Sequence, residues 1–290
     1  MKRTAEENNV KKTKGGNQRN IKNRKCWVYF FLYICSMNTT KQTKINSLLQ
    51  KFPAGALYFG SWLNNNGVSY FLQRHYRNSQ WLTAIDKGVM YRTGEKPTIF
   101  SALSCFTSQL NKNFHIGALS ALEMRGFAHY VPLGRQTIVV YCPRNEWFPK
   151  WFAKIDWGVE ILKKYSEFSE TGISAINENN FDVSVSSPER AFLECLDLAP
   201  KYYNLTDLYQ VMEMLNGLRP NLLQLLLEEC KSIKVRRLFL FMAEKAGHSW
   251  LEDLDVSIID LGKGKRSIVK NGVYNAKYQI TISRDLAEYE

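Results

Sequence analysis

The sequence predicts an α+β protein with a small helix-turn-helix unit near the N-terminus and a larger mixed region behind it. Two short helical stretches are separated by a Gly-containing turn, and a hairpin signal, Asp86-Lys87-Gly88, follows them closely. Further along, helical and strand-like stretches alternate without a regular strand-helix-strand repeat. We therefore expect a winged helix-turn-helix followed by a larger mixed α/β C-terminal region with several helices.

Length and composition are those of a globular protein. The chain has 290 residues, of which 45% are hydrophobic and 23% are charged. A chain of this length can form one large domain or two to three smaller ones. The composition excludes wholesale disorder and a multispan membrane protein.

Positive charge is concentrated at the N-terminal end. Residues 1–36 contain nine Lys or Arg and two Glu, and residues 37–95 contain seven Lys or Arg and two acids, whereas the remainder is neutral. A polyanion such as a nucleic acid is therefore expected to bind the N-terminal third, where the field attracts it.

Cysteine and histidine patterns predict neither a disulfide framework nor a metal site. No C-x-x-C pair and no zinc-ligand spacing occurs, so reduced thiols in the cytoplasm are the simplest interpretation. No cofactor is expected. The six cysteines are Cys26, Cys35, Cys105, Cys142, Cys195 and Cys230.

Residues 1–36 allow two interpretations. Their basic flank and the apolar run from Cys26 to Cys35 resemble a signal peptide, but the run is shorter than the ~20 residues that span a bilayer. Met37 begins a stretch typical of a natural start. Residues 1–36 are thus either a translated extension or basic arm, or a signal or membrane-surface segment.

Three helices are predicted between Thr43 and Asn78. The first, residues 43–52, has one apolar face and ends before Pro53. The second is expected within residues 54–67, "AGALYFGSWLNNNG", and Asn66-Gly67 closes it, because Gly accepts a left-handed C-cap. Ser69 is the expected N-cap of the third helix.

The third helix carries side chains suited to DNA. At about 100° per residue, Tyr70, Gln73, Arg74 and Arg77 share one face. Arg can bind guanine, Gln can bind adenine, and Tyr can contact a phosphate or a thymine methyl. The alternative is a solvated basic face without a ligand. We expect His75 to be a partly buried packing residue rather than a base reader.

A hairpin behind the third helix would form a wing. Trp81 to Arg92 contains two short strand-like runs around the turn at Asp86-Lys87-Gly88. Lys87 lies at the tip, where it could contact a phosphate. The compact winged-helix unit is expected from Lys41 to Gly94.

The C-terminal two-thirds predicts helices and short strands but no catalytic site. Two helices should end at Gly126, and another should begin at Pro188 with Ser187 as its N-cap. "LGKGKRS", residues 261–267, lacks the spacing of a phosphate-binding loop and is expected to be a basic hairpin tip. Glu189 and Glu194 lie five residues apart and do not share a helix face, so they are not a catalytic pair; we expect them to form surface ion pairs.

Two basic groups in this region could make a second contact with DNA or RNA, although solvated charge is the simpler interpretation of each. They are the run Lys234 to Arg237 and the cluster Lys263, Lys265 and Arg266.

Several stretches, taken in order, resemble the AbiEi family of type IV antitoxins. They are "SWLNNNGVSYFLQRHYRNSQWLTAIDKGVMYR", "HIGALSALEMRGFAHYV", "SPERAFLECLDL", "VRRLFLFMAEKAGHSW", "DLGKGKR" and "KYQITI". The resemblance covers residues 41 to 285 and leaves residues 1–36 outside. It implies a recognition helix at Ser69 to Asn78, so Ser69 and Asn78 join the expected DNA contacts, and a wing at Trp81 to Arg92.

The resemblance also implies a function. Such proteins repress their own operon by binding inverted repeats in promoter DNA, and they neutralise a nucleotidyltransferase toxin encoded by the adjacent gene. We expect no enzymatic activity. The alternatives are a C-terminal domain that enzymatically modifies the toxin, or one that traps it by direct binding.

The expected division of the chain has four parts. They are the basic extension, residues 1–36; the winged helix-turn-helix, 37–95; a mixed α/β middle region, 96–180; and a helix-rich antitoxin-type domain, 181–290.

Overall fold

A computed structural model describes residues 44–127, 135–146 and 148–289 of the protein. The chain forms two compact units, residues 1–52 and 53–290. The predictions for residues 1–36 and for a start at Met37 lie outside the described residues. In the first unit, helix α1 covers Lys44–Lys51, which confirms the first predicted helix.

The second unit begins with a winged arrangement. Its elements are β1 Leu57–Phe59, α2 Gly60–Asn65, α3 Tyr70–Asn78, β2 Leu82–Asp86 and β3 Val89–Arg92. The three strands form an antiparallel sheet in the order β1-β3-β2. The two helices and the hairpin were predicted.

Strand β1 was not predicted, because residues 54–67 were expected to contain a short helix and no strand. Instead, Leu57 pairs with Tyr91 and Phe59 pairs with Val89. The other edge of β1 is bound by a side chain: the amide of Gln109 donates to Leu57 O at 2.6 Å and accepts from Phe59 N at 3.1 Å. Partners 30 to 52 residues away therefore determine the strand.

The turn between α2 and α3 has the geometry that the sequence predicted. Gly67 has φ +81°, and its N–H donates to Asn64 O. The N–H of Val68 donates to Leu63 O at 2.9 Å, and both side chains are buried. This pair of bonds is a Schellman motif, in which a left-handed residue ends the helix and redirects the chain.

A five-stranded mixed sheet follows. Its elements, with two helices that accompany it, are α4 Ile99–Leu110, β4 His115–Ile116, α5 Ala118–Met124, β5 Thr137–Cys142, β6 Glu160–Tyr165, β7 Ile173–Glu178 and β8 Phe181–Ser186. The strand order is β6-β5-β4-β8-β7, with β5–β6 and β4–β8 parallel. Both helices before Gly126 are confirmed, whereas the two-residue β4 is too short for a periodicity signal.

The C-terminal part is rich in helices. It contains α6 Pro188–Leu198, α7 Leu205–Met214, α8 Pro220–Glu229, α9 Ile233–Ala246, β9 Arg266–Ser267, β10 Val273–Asn275, β11 Ile280–Ile282 and α10 Arg284–Glu288. The Ser187 hydroxyl caps α6 by accepting from Arg190 N, as predicted. The protein is α+β. In the part of the chain that the structure describes, no helix is long and apolar enough to cross a bilayer.

The described cysteines are unbonded thiols. Cys105, Cys142, Cys195 and Cys230 are all buried and free. Within the same described ranges, no cluster of His, Cys, Asp or Glu could hold a metal ion. Cys26 and Cys35 lie outside them.

Candidate nucleic-acid interface

Helix α3 presents a polar and aromatic face to solvent. Its first turn is fixed by Ser69, whose hydroxyl accepts from Leu72 N at 3.4 Å and so satisfies a free helix N–H. The exposed residues of the helix are Tyr70, Phe71, Arg74, His75, Arg77 and Asn78. The N-cap is therefore confirmed. Five of the seven expected DNA contacts are exposed on this helix and its cap: Ser69, Tyr70, Arg74, Arg77 and Asn78.

Gln73 does not belong to this face, and its expected placement there is wrong. The side chain is only 3% exposed. Its Nε2 donates to Gly60 O at 2.9 Å and to Val68 O at 2.8 Å. These two carbonyls are removed from water and need a donor, so the amide joins α3 to α2 and is not available to a base.

The true exposed face is rotated relative to the predicted one. The buried side of α3 is formed by Gln73 and Tyr76, with Leu72 half-buried. At about 100° per residue, this moves the centre of the exposed face by roughly 70°, from between Tyr70 and Arg77 to a point near Arg74. Phe71 consequently joins the exposed face, where the sequence did not place it.

His75 also differs from the prediction. We expected a partly buried packing residue, but the imidazole is exposed. It lies one turn after Phe71 and beside Tyr76, with ring centroids 6.2 Å apart. The rotation of the face explains this error as well.

Within the residues that the structure describes, the arginines of α3 have no acidic partners. From Gly60 to Gly94 the sequence contains one acid, Asp86, whose carboxylate accepts the N–H of Lys87 at 2.7 Å. Arg92 pairs with Glu95 at 3.2 Å. Across the described ranges, no carboxylate forms an ion pair with Arg74 or Arg77. Their charge is therefore free to attract an anion.

The β2–β3 hairpin is a short wing beside this helix. Asp86 pairs with Val89 across a tight turn, in which Gly88 has φ +79° and Lys87 is exposed. Gly60 N donates to Gly88 O at 2.7 Å, so the turn is fixed to the start of α2. The wing and the exposed Lys87 at its tip agree with the sequence, and the contact of Lys87 with a phosphate stays a prediction.

A groove of about 500 Å³ separates the end of α3 from the edge of the wing. Its lining residues are Arg77, Gln80, Leu82, Thr83, Ala84 and Thr93. The hydroxyls of Thr83 and Thr93 are hydrogen-bonded to each other at 2.8 Å. Hydroxyls and an arginine are groups that bind phosphate oxygens.

Glu189 and Glu194 of α6 are buried, which contradicts the expected surface ion pairs. Glu189 is 1% exposed and binds Arg219 at 2.9 Å. Glu194 is 2% exposed and accepts from Arg190 Nε at 2.8 Å, Ser186 Oγ at 2.9 Å and Ala118 N at 2.9 Å. The carboxylate is thus enclosed by donors, as a buried charge requires.

Electrostatics keeps Glu194 ionised. Burial alone raises the pKa of its carboxyl, but the hydrogen bond from His115 and the charge of Arg190 outweigh this effect, so the pKa lies below its ordinary value. Burial lowers the pKa of His115 itself. We infer a neutral imidazole beside a carboxylate that Arg190 neutralises.

The Lys234 to Arg237 run is not a nucleic-acid surface. Lys234 Nζ donates to Asp197 O and Ala199 O, at the end of α6. Arg236 and Arg237 are buried. The guanidinium of Arg237 donates to four backbone carbonyls, those of Leu261, Gly262, Gly264 and Gln279.

The basic loop around residues 261–267 is organised by this arginine. Lys263, Lys265 and Arg266 are exposed, while the loop carbonyls face the buried Arg237. Gly262 and Gly264 have φ of +64° and +82°, conformations that glycine adopts readily. Only a short strand, Arg266–Ser267, follows, and it pairs in parallel with β11, so the loop is not the hairpin tip that was expected.

Two family sequence models match nearly the whole described chain. One, described as an AbiEi antitoxin N-terminal domain of a transcriptional regulator, matches residues 41–133. The other, described as a transcriptional regulator, AbiEi antitoxin, type IV TA system, matches residues 135–283. The protein belongs to the AbiEi antitoxin family. The models divide this AbiEi chain near residue 134, whereas our four-part division of residues 1–290 stays a prediction.

The fold has a counterpart among solved structures. The crystal structure of the RV2827C protein from Mycobacterium tuberculosis matches with a TM-score of 0.54 at 13% identity, covering 82% of this AbiEi chain and 89% of that one. At this identity the similarity concerns the fold. The search of curated proteins found no match.

Proposed function

We propose that this AbiEi protein binds double-stranded promoter DNA with inverted repeats through α3 and its wing, and thereby represses its own operon. The observation that supports this most is the pair Arg74 and Arg77, exposed on a capped helix without acidic partners in the described chain. A recognition helix of this type lies in the major groove, where arginine binds guanine or phosphate. Such a partner would place the protein in the cytoplasm.

The remaining polar residues of the surface have subsidiary roles in this proposal. Tyr70 and Asn78 are exposed at the two ends of α3. Ser69 is expected to offer the helix N-terminus to a phosphate, because the free N–H groups there favour an anion. Lys87 is expected to bind a phosphate from the wing.

The test is a binding measurement with the DNA fragment upstream of the coding sequence. The double variant Arg74→Ala plus Arg77→Ala should weaken binding roughly a hundredfold, since each arginine that binds a base or a phosphate contributes about tenfold. Its melting temperature should not change, because both side chains are exposed.

The matched control is Arg135→Ala plus Arg144→Ala. These exposed arginines pair with Asp156 and Glu167 outside the winged part, and their removal lowers the net charge by the same amount. Binding should change by no more than about threefold, the effect of total charge alone. Equal reductions of affinity in the two double variants would refute the assignment of α3.

We further propose that the protein neutralises a nucleotidyltransferase toxin encoded by the adjacent gene, and that it does so without catalysis. This part is supported by membership of the type IV antitoxin family. The test expresses the toxin from an unrelated promoter together with the full-length protein. Growth should be restored by the wild type and equally by the Arg74→Ala plus Arg77→Ala variant, because repression then has no role.

Two measurements on the same pair of proteins separate the alternatives. A mass increase on the toxin after incubation with the protein and ATP would identify an enzyme that modifies it. Stable co-purification of the two proteins would identify a trap. Restored growth with neither result supports the proposal, and it would mean that the protein counters the toxin's effect without forming a stable complex with the toxin.

A further inference from the structure

Phe71 has an unusual position for an apolar side chain. Its side chain is 82% exposed, the largest value among the large hydrophobic side chains that the structure describes as exposed. It is the second residue of α3, directly after Tyr70, which is 61% exposed. Neither ring contributes much to the core, so the fold does not explain why an aromatic pair begins this helix.

The neighbours of Phe71 form a regular stripe. Arg74, His75 and Asn78 follow it at spacings of three, four and seven residues, and all three are exposed. Residues with this spacing lie on one face of a helix. Phe71 is therefore the N-terminal, apolar member of a stripe whose other members can donate hydrogen bonds.

The charge around this stripe favours a nucleic acid as its partner. Arg74 and Arg77 have no acidic partner within the described residues, and Asp86 is the single acid between Gly60 and Gly94. An apolar protein partner would have to cover these unpaired charges, which is costly. A DNA groove neutralises them instead.

The chemistry of the ring limits what it can contact there. A phenyl group forms no hydrogen bond with a phosphate or with the polar edge of a base. In the major groove, the apolar group is the C5-methyl of thymine, and phenylalanine is one of the side chains that pack on it. The first residues of a recognition helix are those that reach base edges.

We propose that Phe71 selects thymine by packing its ring on the C5-methyl group in the major groove. This inference rests on the proposed DNA-binding function and adds a determinant of sequence specificity to it. Arg74 and Arg77 then supply most of the affinity, while Phe71 distinguishes thymine from bases that lack the methyl group.

The experiment replaces thymine by deoxyuridine, which differs only in lacking this methyl group. A duplex that the wild-type protein selects from a random-sequence library is resynthesised with each thymine replaced in turn, and the dissociation constants are measured. Removal of one buried methyl should weaken wild-type binding about fourfold at the position that Phe71 contacts. Other thymines should have no effect.

The variant Phe71→Ala supplies the second half of the test. It should bind the thymine duplex at least about fourfold more weakly than the wild type, and it should bind the thymine and deoxyuridine duplexes equally. Phe71→Leu, which keeps an apolar side chain, should retain part of the discrimination. Melting temperatures should match that of the wild type, because the ring is exposed.

Three results would overturn the inference. If no deoxyuridine replacement weakens the wild-type protein, DNA binding stands but the methyl contact does not. If Phe71→Ala binds more weakly and still discriminates, another residue reads the methyl group. If the library yields no duplex that the wild type binds, both this inference and the proposed function fail.

Discussion

Arginines in two regions of this protein, helix α3 and the C-terminal helices α6 and α9, have opposite environments. On α3, Arg74 and Arg77 are exposed and have no acidic partner in the described chain. On α6 and α9, Arg190 and Arg237 are almost fully buried and bind carboxylate and carbonyl oxygens. The first pair can bind a ligand, whereas the second pair holds the C-terminal region together. Net charge therefore identifies a partner only after buried charges are set aside.

The largest effect should follow from breaking the buried pair. Arg190→Met leaves Glu194 without its neutralising charge and removes the donor that binds Ser169 O at 2.6 Å and Thr171 O at 2.7 Å. We expect a decrease of about 3–5 kcal/mol in the free energy of unfolding, measured by urea denaturation. The matched variant Arg74→Met should lower it by less than about 0.5 kcal/mol. Equal decreases would contradict the contrast between the two regions.

A smaller decrease should follow from Arg237→Lys. Lysine keeps the charge, but its single ammonium group cannot reach four carbonyls that the planar guanidinium binds. We expect a decrease of roughly 2–3 kcal/mol in the free energy of unfolding, together with faster amide exchange in residues 261–266. Arg77→Lys is the control and should leave both measurements unchanged. Unchanged exchange in the loop would refute the role given to Arg237.

Gln73 combines features of both groups of arginines. It lies on α3, as Arg74 and Arg77 do, but it is buried, as Arg190 and Arg237 are. Gln73→Ala should cost roughly 1–2 kcal/mol in urea denaturation, because Gly60 O and Val68 O are left without their donor. Gln80→Ala, at an exposed site beyond the helix, should cost far less. A Gln73→Ala protein of wild-type stability that failed to bind DNA would instead make Gln73 a base reader.

The smallest expected effect concerns the pH dependence of the free energy of unfolding. Burial lowers the pKa of His115, so the unfolded chain binds more protons than the folded one as the pH falls below about 6.5. Stability should therefore decrease below this pH, and the lowered pKa of Glu194 should extend the decrease at lower pH. His115→Gln should flatten the curve of unfolding free energy between about pH 6.5 and pH 5. A slope unaffected by His115→Gln would contradict this account.

Local sequence signals predicted the winged arrangement well. Gly67, the cap at Ser69 and the turn at Asp86-Lys87-Gly88 act within a few residues of the chain, so each can be recognised without the fold. Strand β1 could not be recognised in this way. Three residues are too few for a periodicity, and their partners lie around residues 90 and 109.

The exposed face of α3 was predicted less accurately, because it too depends on contacts between elements and not on local sequence alone. The spacing of residues in α3 gives their angles, but only the packing of α2 shows which side is buried, and this excluded Gln73 and exposed Phe71. The environments of the buried arginines were the hardest to predict from the sequence. Glu194 is only four residues from Arg190, but His115 is 75 residues away, and Arg237 meets carbonyls more than 20 residues away, so most of both environments lies outside the neighbouring sequence.

The measurement that tests the central claim most directly is the salt dependence of DNA binding. The dissociation constant of the selected duplex is measured over a range of salt concentrations for the wild type and for two double variants, Arg74→Ala plus Arg77→Ala and Arg135→Ala plus Arg144→Ala. The slope of log affinity against log salt should fall by about 0.9 for each phosphate that is no longer neutralised. The fall should therefore be about 0.9 in the first variant if one of its arginines binds a phosphate and about 1.8 if both do, and the slope should not change in the second variant. An unchanged slope in the first variant, or an equal fall in both, would contradict the claim that the free arginines of α3 are the charges that bind DNA.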